Sequence, residues 1–299
     1  MTDRLEDRDL PLVTIVTPSY NQGRFIRETI DSVLAQGYPR IEYLVMDGGS
    51  TDETVSVLRS YGDRLTWFSE RDGGQADAIN KGWRRGRGEI VAYLNSDDTY
   101  LPGAVENAVA ALRSDPDAGA VYGEGYHVDE GGRVIERYPT EPFDMARLAE
   151  TCFICQPTVF LRRAVIERLG YLDASRRYCM DYDLWIRLAQ VSRFVHLDQY
   201  LATTRLHAET KTLDQRVPVH AEILETVHRH YGRLTSQWVY GYAHAVLDGH
   251  RRDTRWADVC FVFRLVGLSL AAFLRYRSPI PRSEWRQWGR WIRHALTHP

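Results

Sequence analysis

Two carboxylates, Asp97 and Asp98, follow directly on an apolar, β-branched run in Glu89-Ile-Val-Ala-Tyr-Leu-Asn95-Ser96-Asp97-Asp98. Adjacent carboxylates repel, and a divalent cation with oxygen ligands removes that cost. Asp47 closes a second apolar run, Ile41 to Met46, and is followed by Gly48-Gly49-Ser50-Thr51-Asp52. A carboxylate there can accept a hydrogen bond from a nucleobase N–H or a ribose hydroxyl; capping its own glycine-rich turn is the competing use. Tyr20 follows a third run, Leu12 to Thr17, where an aromatic ring can stack on a base or cover the core. Asp181 opens the helical stretch Met180-Asp-Tyr-Asp183-Leu-Trp-Ile-Arg187. It could cap that helix or act as a general base toward an attacking hydroxyl. Apolar neighbours (Met180, Tyr182, Trp185) would raise its pKa and strengthen it as a base. His207, in Arg205-Leu-His-Ala-Glu-Thr-Lys211, is a candidate metal or phosphate contact, or else a surface histidine.

The elements that must position these residues follow a rhythm. Leu12–Thr17 and the run to Leu94 read as buried strands, with Ile41–Met46 and Leu65–Phe68 as strands between them. Helical spacing separates them over Phe25–Gln36, a segment through Tyr61, and Ala76–Arg85. Four strands alternating with three helices predict a doubly wound, mainly parallel sheet. In such a sheet ligands bind beyond the carboxyl ends of the strands, which is where Tyr20, Asp47 and Asp97 fall. After a helix from Pro102 to about Arg113 the pattern changes. Short strands are expected at Ala118–Tyr122, Tyr126–Val128, Arg133–Arg137, Pro157–Leu161, Phe194–Leu197 and Ala202–Leu206, with a hairpin turn at Asp129-Glu-Gly-Gly132. Mixed strands here argue against a second nucleotide-binding half. From Leu213 the pattern is helical.

Taken together, Val16-Thr-Pro-Ser-Tyr-Asn21, Val45-Met-Asp47-Gly-Gly-Ser-Thr-Asp52, Asp77-Ala-Ile-Asn-Lys81-Gly82, Asn95-Ser-Asp97-Asp98 and Asp181-Tyr-Asp183-Leu-Trp-Ile-Arg187 resemble the family-2 glycosyltransferases. The likeness spans about residues 10–212. It implies the GT-A fold, α/β with a mainly parallel sheet, a mixed acceptor-side half and a helical C-terminal extension. The expected division is 1–122 for the nucleotide-sugar half, 123–212 for the acceptor and catalytic-base half, and 213–299 for the extension. The resemblance implies inverting transfer of a single sugar. Thr17, Pro18, Tyr20, Asp47, Gln75, Lys81, Asn95 and Ser96 are then the donor-binding set. Asn95-Ser96-Asp97 matches the D-x-D motif, with Mn²⁺ or Mg²⁺ held by Asp97, Asp98 and His207. Asp181 matches the catalytic base. The chain departs from the family pattern at Asn95, which replaces the first Asp of D-x-D, and at Met180, which replaces the Glu before the base. The Gln-x-x-Arg-Trp motif and membrane spans of processive members are missing from the pattern, which points to single addition. The implied partners are a nucleotide-sugar, UDP-linked, and a glycan or polyprenyl-linked acceptor in bacterial surface polysaccharide synthesis. A silent nucleotide-sugar-binding subunit is one alternative. A sugar nucleotidyltransferase is another, disfavoured because Pro18-Ser-Tyr-Asn-Gln-Gly23 lacks the Arg and Lys such a loop needs.

Composition sets outer bounds. Hydrophobic residues at 44% and charged residues at 26% fit a globular chain with a sizeable core. The net charge of −2 conceals an asymmetry, because residues 229–299 hold twelve Arg against four acids, net +8, which leaves −10 for the rest. An acidic body argues against nucleic acid as partner. Cys152, Cys155, Cys179 and Cys260 form neither a disulfide framework nor a complete zinc motif. The charged N-terminus has no apolar signal region, so a reducing, cytoplasmic setting is expected, peripheral to the inner face of the plasma membrane. Val259–Leu274 is a 16-residue apolar run, short of the ~20 residues of a membrane span and interrupted by Arg264. Over Ser283–Leu296, Trp285, Trp288, Ile292, Ala295 and Leu296 share a helical face with Arg residues off it. That predicts docking of 255–299 on an anionic membrane surface, with a homodimer contact or core packing as the alternative.

Overall fold

The computed structural model describes residues 9–207, 214–250 and 254–297. Lys211 and the expected boundary at 212–213 lie outside them. The chain forms two compact units, one of residues up to Asp144 plus Phe153–His207, the other of Met145–Cys152 plus the segment from Ala208 onward.

In the first unit β1 (Val13–Ser19) is buried at every position. Parallel β2 (Ile41–Asp47) and β4 (Ile90–Tyr93) flank it, and β3 (Thr66–Ser69) lies parallel beyond β2. A strand covered on both faces needs side chains that tolerate burial throughout, which is why fully buried β1 and β4 read as apolar, β-branched runs, while β3 is exposed at both ends. The register pairs Ser19 with Asp47 and Asp47 with Ser69, so three strand ends finish level with one another. Helices α1 (Ile26–Leu34), α2 (Thr54–Ser60) and α3 (Gln75–Arg85) make the connections. Helix α3 lies tightly on β1, since a Cβ at Gly82 would come within 2.5 Å of Val16 Cγ1.

The expected mixed half is present, with longer strands. After the acidic run a two-residue strand, β5 (Thr99–Tyr100), precedes α4 (Ala104–Ser114). Then come β6 (Ala118–Val128) and β7 (Val134–Arg137), paired antiparallel across the expected hairpin. Strand β8 (Phe160–Arg162) pairs antiparallel with both β4 and β6, and β9 (Arg193–Arg205) runs parallel to β6 and antiparallel to β5. The sheet order is β3-β2-β1-β4-β8-β6-β9-β5.

Three expectations are corrected in detail. Ala118–Tyr122 and Tyr126–Val128 are one strand, β6, and Phe194–Leu197 and Ala202–Arg205 are one strand, β9, which ends one residue before Leu206. Pairing between β6 and β9 continues through the polar Asp198-Gln199 by register shifts at Gly123, Glu124 and Gly125, so the interruption in hydrophobicity is a bulge and not an end. The strand expected from Pro157 begins at Phe160, because Gln156–Thr158 forms a 3-10 turn in which Thr158 Oγ1 donates to the Cys155 carbonyl (2.7 Å). Within this unit, α6 (Arg163–Leu169) ends on Gly170 and α7 (Met180–Ala189) carries the Asp181 motif.

The second unit contains α5 (Met145–Leu148), α8 (Arg216–Tyr231), α9 (Ser236–Val246), α10 (Arg255–Arg275) and α11 (Arg282–Thr297). Its core joins Leu224, Val239, Phe273 and Trp288, with Phe261 and Leu265 of α10 against Ala243 and Leu247. The apolar run expected to be short is part of a 21-residue helix. Thr254 caps that helix by accepting the Ala257 N–H (3.2 Å), and Arg255, Trp256 and Arg275 extend it at both ends. By length and composition α10 could cross a membrane, and a third of its most apolar window is buried. The tryptophan face of α11 divides: Trp288 is buried beside Phe273 and donates its indole N–H to Tyr240 Oη (2.9 Å), whereas Trp285 is 54% exposed.

Candidate active site

The loops after β1 and β2 brace each other. The Asn21 N–H donates to Ser50 Oγ (2.7 Å), and Asn21 Oδ1 accepts from the Thr51 N–H (2.9 Å). Asp52 accepts from the Gly23 and Thr54 N–H groups (2.9 and 3.0 Å). A Cβ at Gly23 would lie 2.4 Å from Glu53 Cγ, so only glycine allows this approach. Tyr20 is 62% exposed at this strand end, while Thr17 and Pro18 are buried and Thr17 Oγ1 shares a hydrogen bond with Tyr43 Oη (3.0 Å). Asp47 is also buried. Its Oδ2 accepts from the Gly49 and Ser50 N–H groups (3.2 and 3.0 Å) and from Ser69 Oγ (2.6 Å), and its Oδ1 accepts from Ser50 Oγ.

The acidic run is organised from further away in sequence. Pairing of β5 with β9 carries Arg205 and His207 onto it. His207 Nε2 lies 3.0 Å from Asp97 Oδ2, with the imidazole against the Phe25 ring (centroids 5.0 Å apart). Arg205 is buried. Its backbone N–H donates to Asp98 Oδ1 (3.0 Å), its Nε to the Asp97 carbonyl (3.0 Å), its Nη1 to the Glu130 carbonyl (2.6 Å) and its Nη2 to the Glu28 carboxylate. Asp98 is 2% exposed. Burial, and then the Asp97 carboxylate beside it, push the Asp98 carboxyl well above the usual carboxylate range. Asn95 Oδ1 accepts from Gln75 Nε2 (2.7 Å), and Asn95 Nδ2 donates to Asp98 Oδ2 and Gln156 Oε1 (both 3.1 Å). Gln156 Nε2 in turn donates to the Tyr93 carbonyl (3.0 Å). Ser96, next in the chain, is buried.

Asp181 stands half-buried in the first turn of α7, and its Oδ1 accepts from the Tyr182 N–H (2.7 Å). Met180, Tyr182 and Trp185 are buried around it in sequence. The other charged members of the motif are structural. Buried Asp183 accepts from Arg187 Nε (2.8 Å), and Arg187 also donates to the Leu169 and Tyr171 carbonyls. Helix α3 (Gln75–Arg85) touches both the acidic run and the segment ahead of α7. Its first residue, Gln75, holds Asn95; Asn80 in its middle donates to the Leu172 carbonyl (2.9 Å) and accepts the Leu172 N–H (3.0 Å), fixing the segment that leads into α7. Lys81, on the same helix, pairs with Asp77 (3.0 Å). The Gly73 N–H, followed by opposing partial burial and then Lys81, leaves the Asp77 carboxyl below its ordinary value.

Asn80 and Arg205 are the residues whose importance the sequence reading missed. Asn80 lies in Asp77-Ala-Ile-Asn-Lys81-Gly82, and Arg205 stands at the end of β9, two residues before the candidate histidine. Gln156, from the 3-10 turn before β8, belongs to the Asn95 network.

For a divalent cation, the structure brings Asp97 and His207 together and keeps Asp98 inside, on Arg205 and Asn95. Among the described residues no group of three or more His, Cys, Asp or Glu side chains could hold a metal. One carboxylate oxygen and one imidazole nitrogen, 3.0 Å apart and at a strand-end edge, suit an ion that takes its remaining ligands from phosphate oxygens and water.

The profile described as "Glycosyl transferase family 2" matches residues 14–170. An uncharacterised glycosyltransferase of Rickettsia prowazekii is 31% identical over 215 residues, covering 68% of this chain and 66% of the relative. Chondroitin synthase of Escherichia coli is 29% identical over 208 residues, covering 68% of this chain and 30% of that one. The chain thus aligns with less than two-thirds of the length of the relatives it matches. Among solved structures, S. aureus TarS in complex with UDP-GlcNAc superposes with a TM-score of 0.66 at 15% identity, covering 96% of this chain and 93% of that one. A mannosyltransferase of Pyrobaculum calidifontis in complex with GDP-Man and Mn²⁺ gives 0.59 at 20% identity, covering 98% and 83%. At these identities the likeness establishes a shared fold.

Proposed function

Because the chain belongs to glycosyltransferase family 2, we propose that it transfers one sugar, with inversion, from a UDP-sugar to a glycan or lipid-linked acceptor in bacterial surface polysaccharide synthesis. The observation that carries this reading is the Asp97–His207 pair at the strand-end edge. The relatives named chondroitin and hyaluronan synthase support a glycan product. The structural neighbours hold UDP-GlcNAc, or GDP-Man with Mn²⁺.

In this mechanism Tyr20 presents its exposed ring to the nucleobase, and the braced loops carrying Thr17, Pro18 and Asp47 shape the floor beneath. Asn95, held by Gln75 and Gln156, faces the ribose side. Asp97 and His207 are the residues that would hold the divalent cation, with diphosphate oxygens and water completing its ligands. When bound, the cation supplies Lewis-acid stabilisation of the leaving diphosphate. Asp181 takes the proton from the acceptor hydroxyl as its oxygen attacks the anomeric carbon. The bond to the diphosphate breaks on the opposite face, so the configuration inverts.

The test is a nucleotide-sugar panel assayed for transfer and hydrolysis with wild type and Asp181→Asn. Loss of a positioned base should lower kcat by about 10²–10⁴-fold with donor affinity retained. Near-wild-type turnover by Asp181→Asn would sink the assignment. Binding of UDP without turnover of any donor would identify a silent nucleotide-sugar-binding subunit instead.

A further inference from the structure

Helix α10 is apolar on two opposite faces. One face, with Val259, Phe261, Leu265, Ser269, Ala272 and Phe273, is buried within the helical unit. Opposite to it, Trp256, Phe263, Gly267 and Leu274 recur at i, i+7, i+11 and i+18 and align within a narrow stripe at 3.6 residues per turn. Trp256 is 74% exposed, Leu274 65% and Phe263 48%. A helix apolar all round is normally enclosed, so a stripe this long in water marks a binding face.

Helix α11 extends the patch. Arg255 Nη2 donates to the Leu296 carbonyl (2.8 Å), which sets exposed Leu296 near the Trp256 end. At the other end, Trp285 packs edge-on to Trp288, which lies against Phe273, so exposed Trp285 neighbours the Leu274 end. The charge around the patch is one-sided. Helices α10 and α11 together carry seven Arg and two acids, Asp258 and Glu284; Glu284 is buried and bonded to Tyr240. Arg264 and Arg275 lie to one side of the α10 stripe by helical spacing, and Arg286 and Arg293 lie next around α11 from Trp285 and Leu296.

We propose that the exposed Trp256–Phe263–Leu274 face of α10, extended by Trp285 and Leu296 of α11, docks in the plane of an anionic lipid surface. Aromatic and aliphatic side chains enter the headgroup boundary while the flanking arginines meet lipid phosphates. A second copy of the chain is disfavoured as occupant, because pairing the face with itself would bring two arginine-rich rims together. A membrane-crossing orientation is disfavoured because Arg264 stands at mid-helix and the opposite face is already committed to protein packing. This replaces the tryptophan face of α11 as the docking surface, since Trp288 is used in the core.

The test is flotation of the full chain with vesicles of phosphatidylcholine alone and of phosphatidylcholine with phosphatidylglycerol. Wild type should float with the anionic vesicles only. The triple variant Trp256→Ser/Phe263→Ser/Leu274→Ser should bind them about 10²-fold more weakly, while keeping its thermal unfolding midpoint and its hydrolysis of a soluble nucleotide-sugar. Arg286→Gln and Arg293→Gln should each weaken binding about fivefold on anionic vesicles. Equal retention of wild type and triple variant, or no retention of wild type, overturns the proposal. So does light scattering that shows a wild-type dimer converted to monomer by the triple substitution with vesicle binding unchanged. Donor turnover is read separately, so failure here leaves the proposed reaction standing, and the reverse.

Discussion

The loops after β2 and after β4, the strands on either side of β1, each present a carboxylate, yet they are built differently. Asp47 is enclosed by its own surroundings: two backbone N–H groups and Ser50 from its turn, and Ser69 from the next strand. Asp97 meets His207, 110 residues further along the chain, and keeps its side chain 23% exposed. A carboxylate satisfied by its own turn shapes a loop, because its lone pairs are committed before any ligand arrives. One set against a distant imidazole at an open edge retains oxygen for an incoming ion. The inner member of the Asp97–Asp98 pair repeats the lesson, since Asp98 is held by Arg205 and Asn95 and serves the backbone that Asp97 stands on.

That contrast can be broken by substitution. The largest effect is expected at Asp97: Asp97→Asn should lower kcat by about 10²–10³-fold, with the unfolding midpoint close to wild type. Asp47→Asn should do the opposite. It should cost about 1–3 kcal/mol of stability in a denaturant titration, because buried N–H and hydroxyl donors lose their acceptor, while kcat per folded molecule stays within about tenfold. Asn80→Ala leaves the Leu172 N–H and carbonyl unpaired; about 1–3 kcal/mol of destabilisation is expected, together with a kcat loss as α7 loosens. Tyr20→Ala should raise donor KM about tenfold with little change in stability, the size of one base-stacking contact. The smallest effect concerns Asp77, whose carboxyl is held below its ordinary value in the fold. A lowered folded pKa gives stability present above the unfolded carboxylate pKa and lost as pH falls through the folded one. The stability difference between wild type and Asp77→Asn should therefore be present at neutral pH, about 0.5 kcal/mol, and vanish in acid.

Much of the architecture was legible in the chain. Strands β1 and β4 could be read from runs that must be apolar on both faces, and the glycine- and serine-rich turns marked the strand ends; β3, half-exposed, was read from its place in the alternation. Strands β6 and β9 were broken too early, because the polar Asp198-Gln199 interrupts hydrophobicity while backbone pairing carries on across a bulge. The roles of Arg205 and Asn80 could not be read, because their partners lie about 108 and 92 residues away and only the folded sheet brings them together. His207 was named, but what makes it a candidate ligand is β5, a two-residue strand too short to leave a periodic signal. The tail was legible in composition and not in orientation: tryptophan and arginine at helical spacing do not reveal which face the core will take.

Manganese binding measured by electron paramagnetic resonance in the presence of UDP tests the central claim most directly. Wild type and Asp47→Asn should bind Mn²⁺ in a UDP-dependent manner, while Asp97→Asn and His207→Ala should each lose most of that binding. Undiminished UDP-dependent Mn²⁺ binding by both Asp97→Asn and His207→Ala would contradict the account.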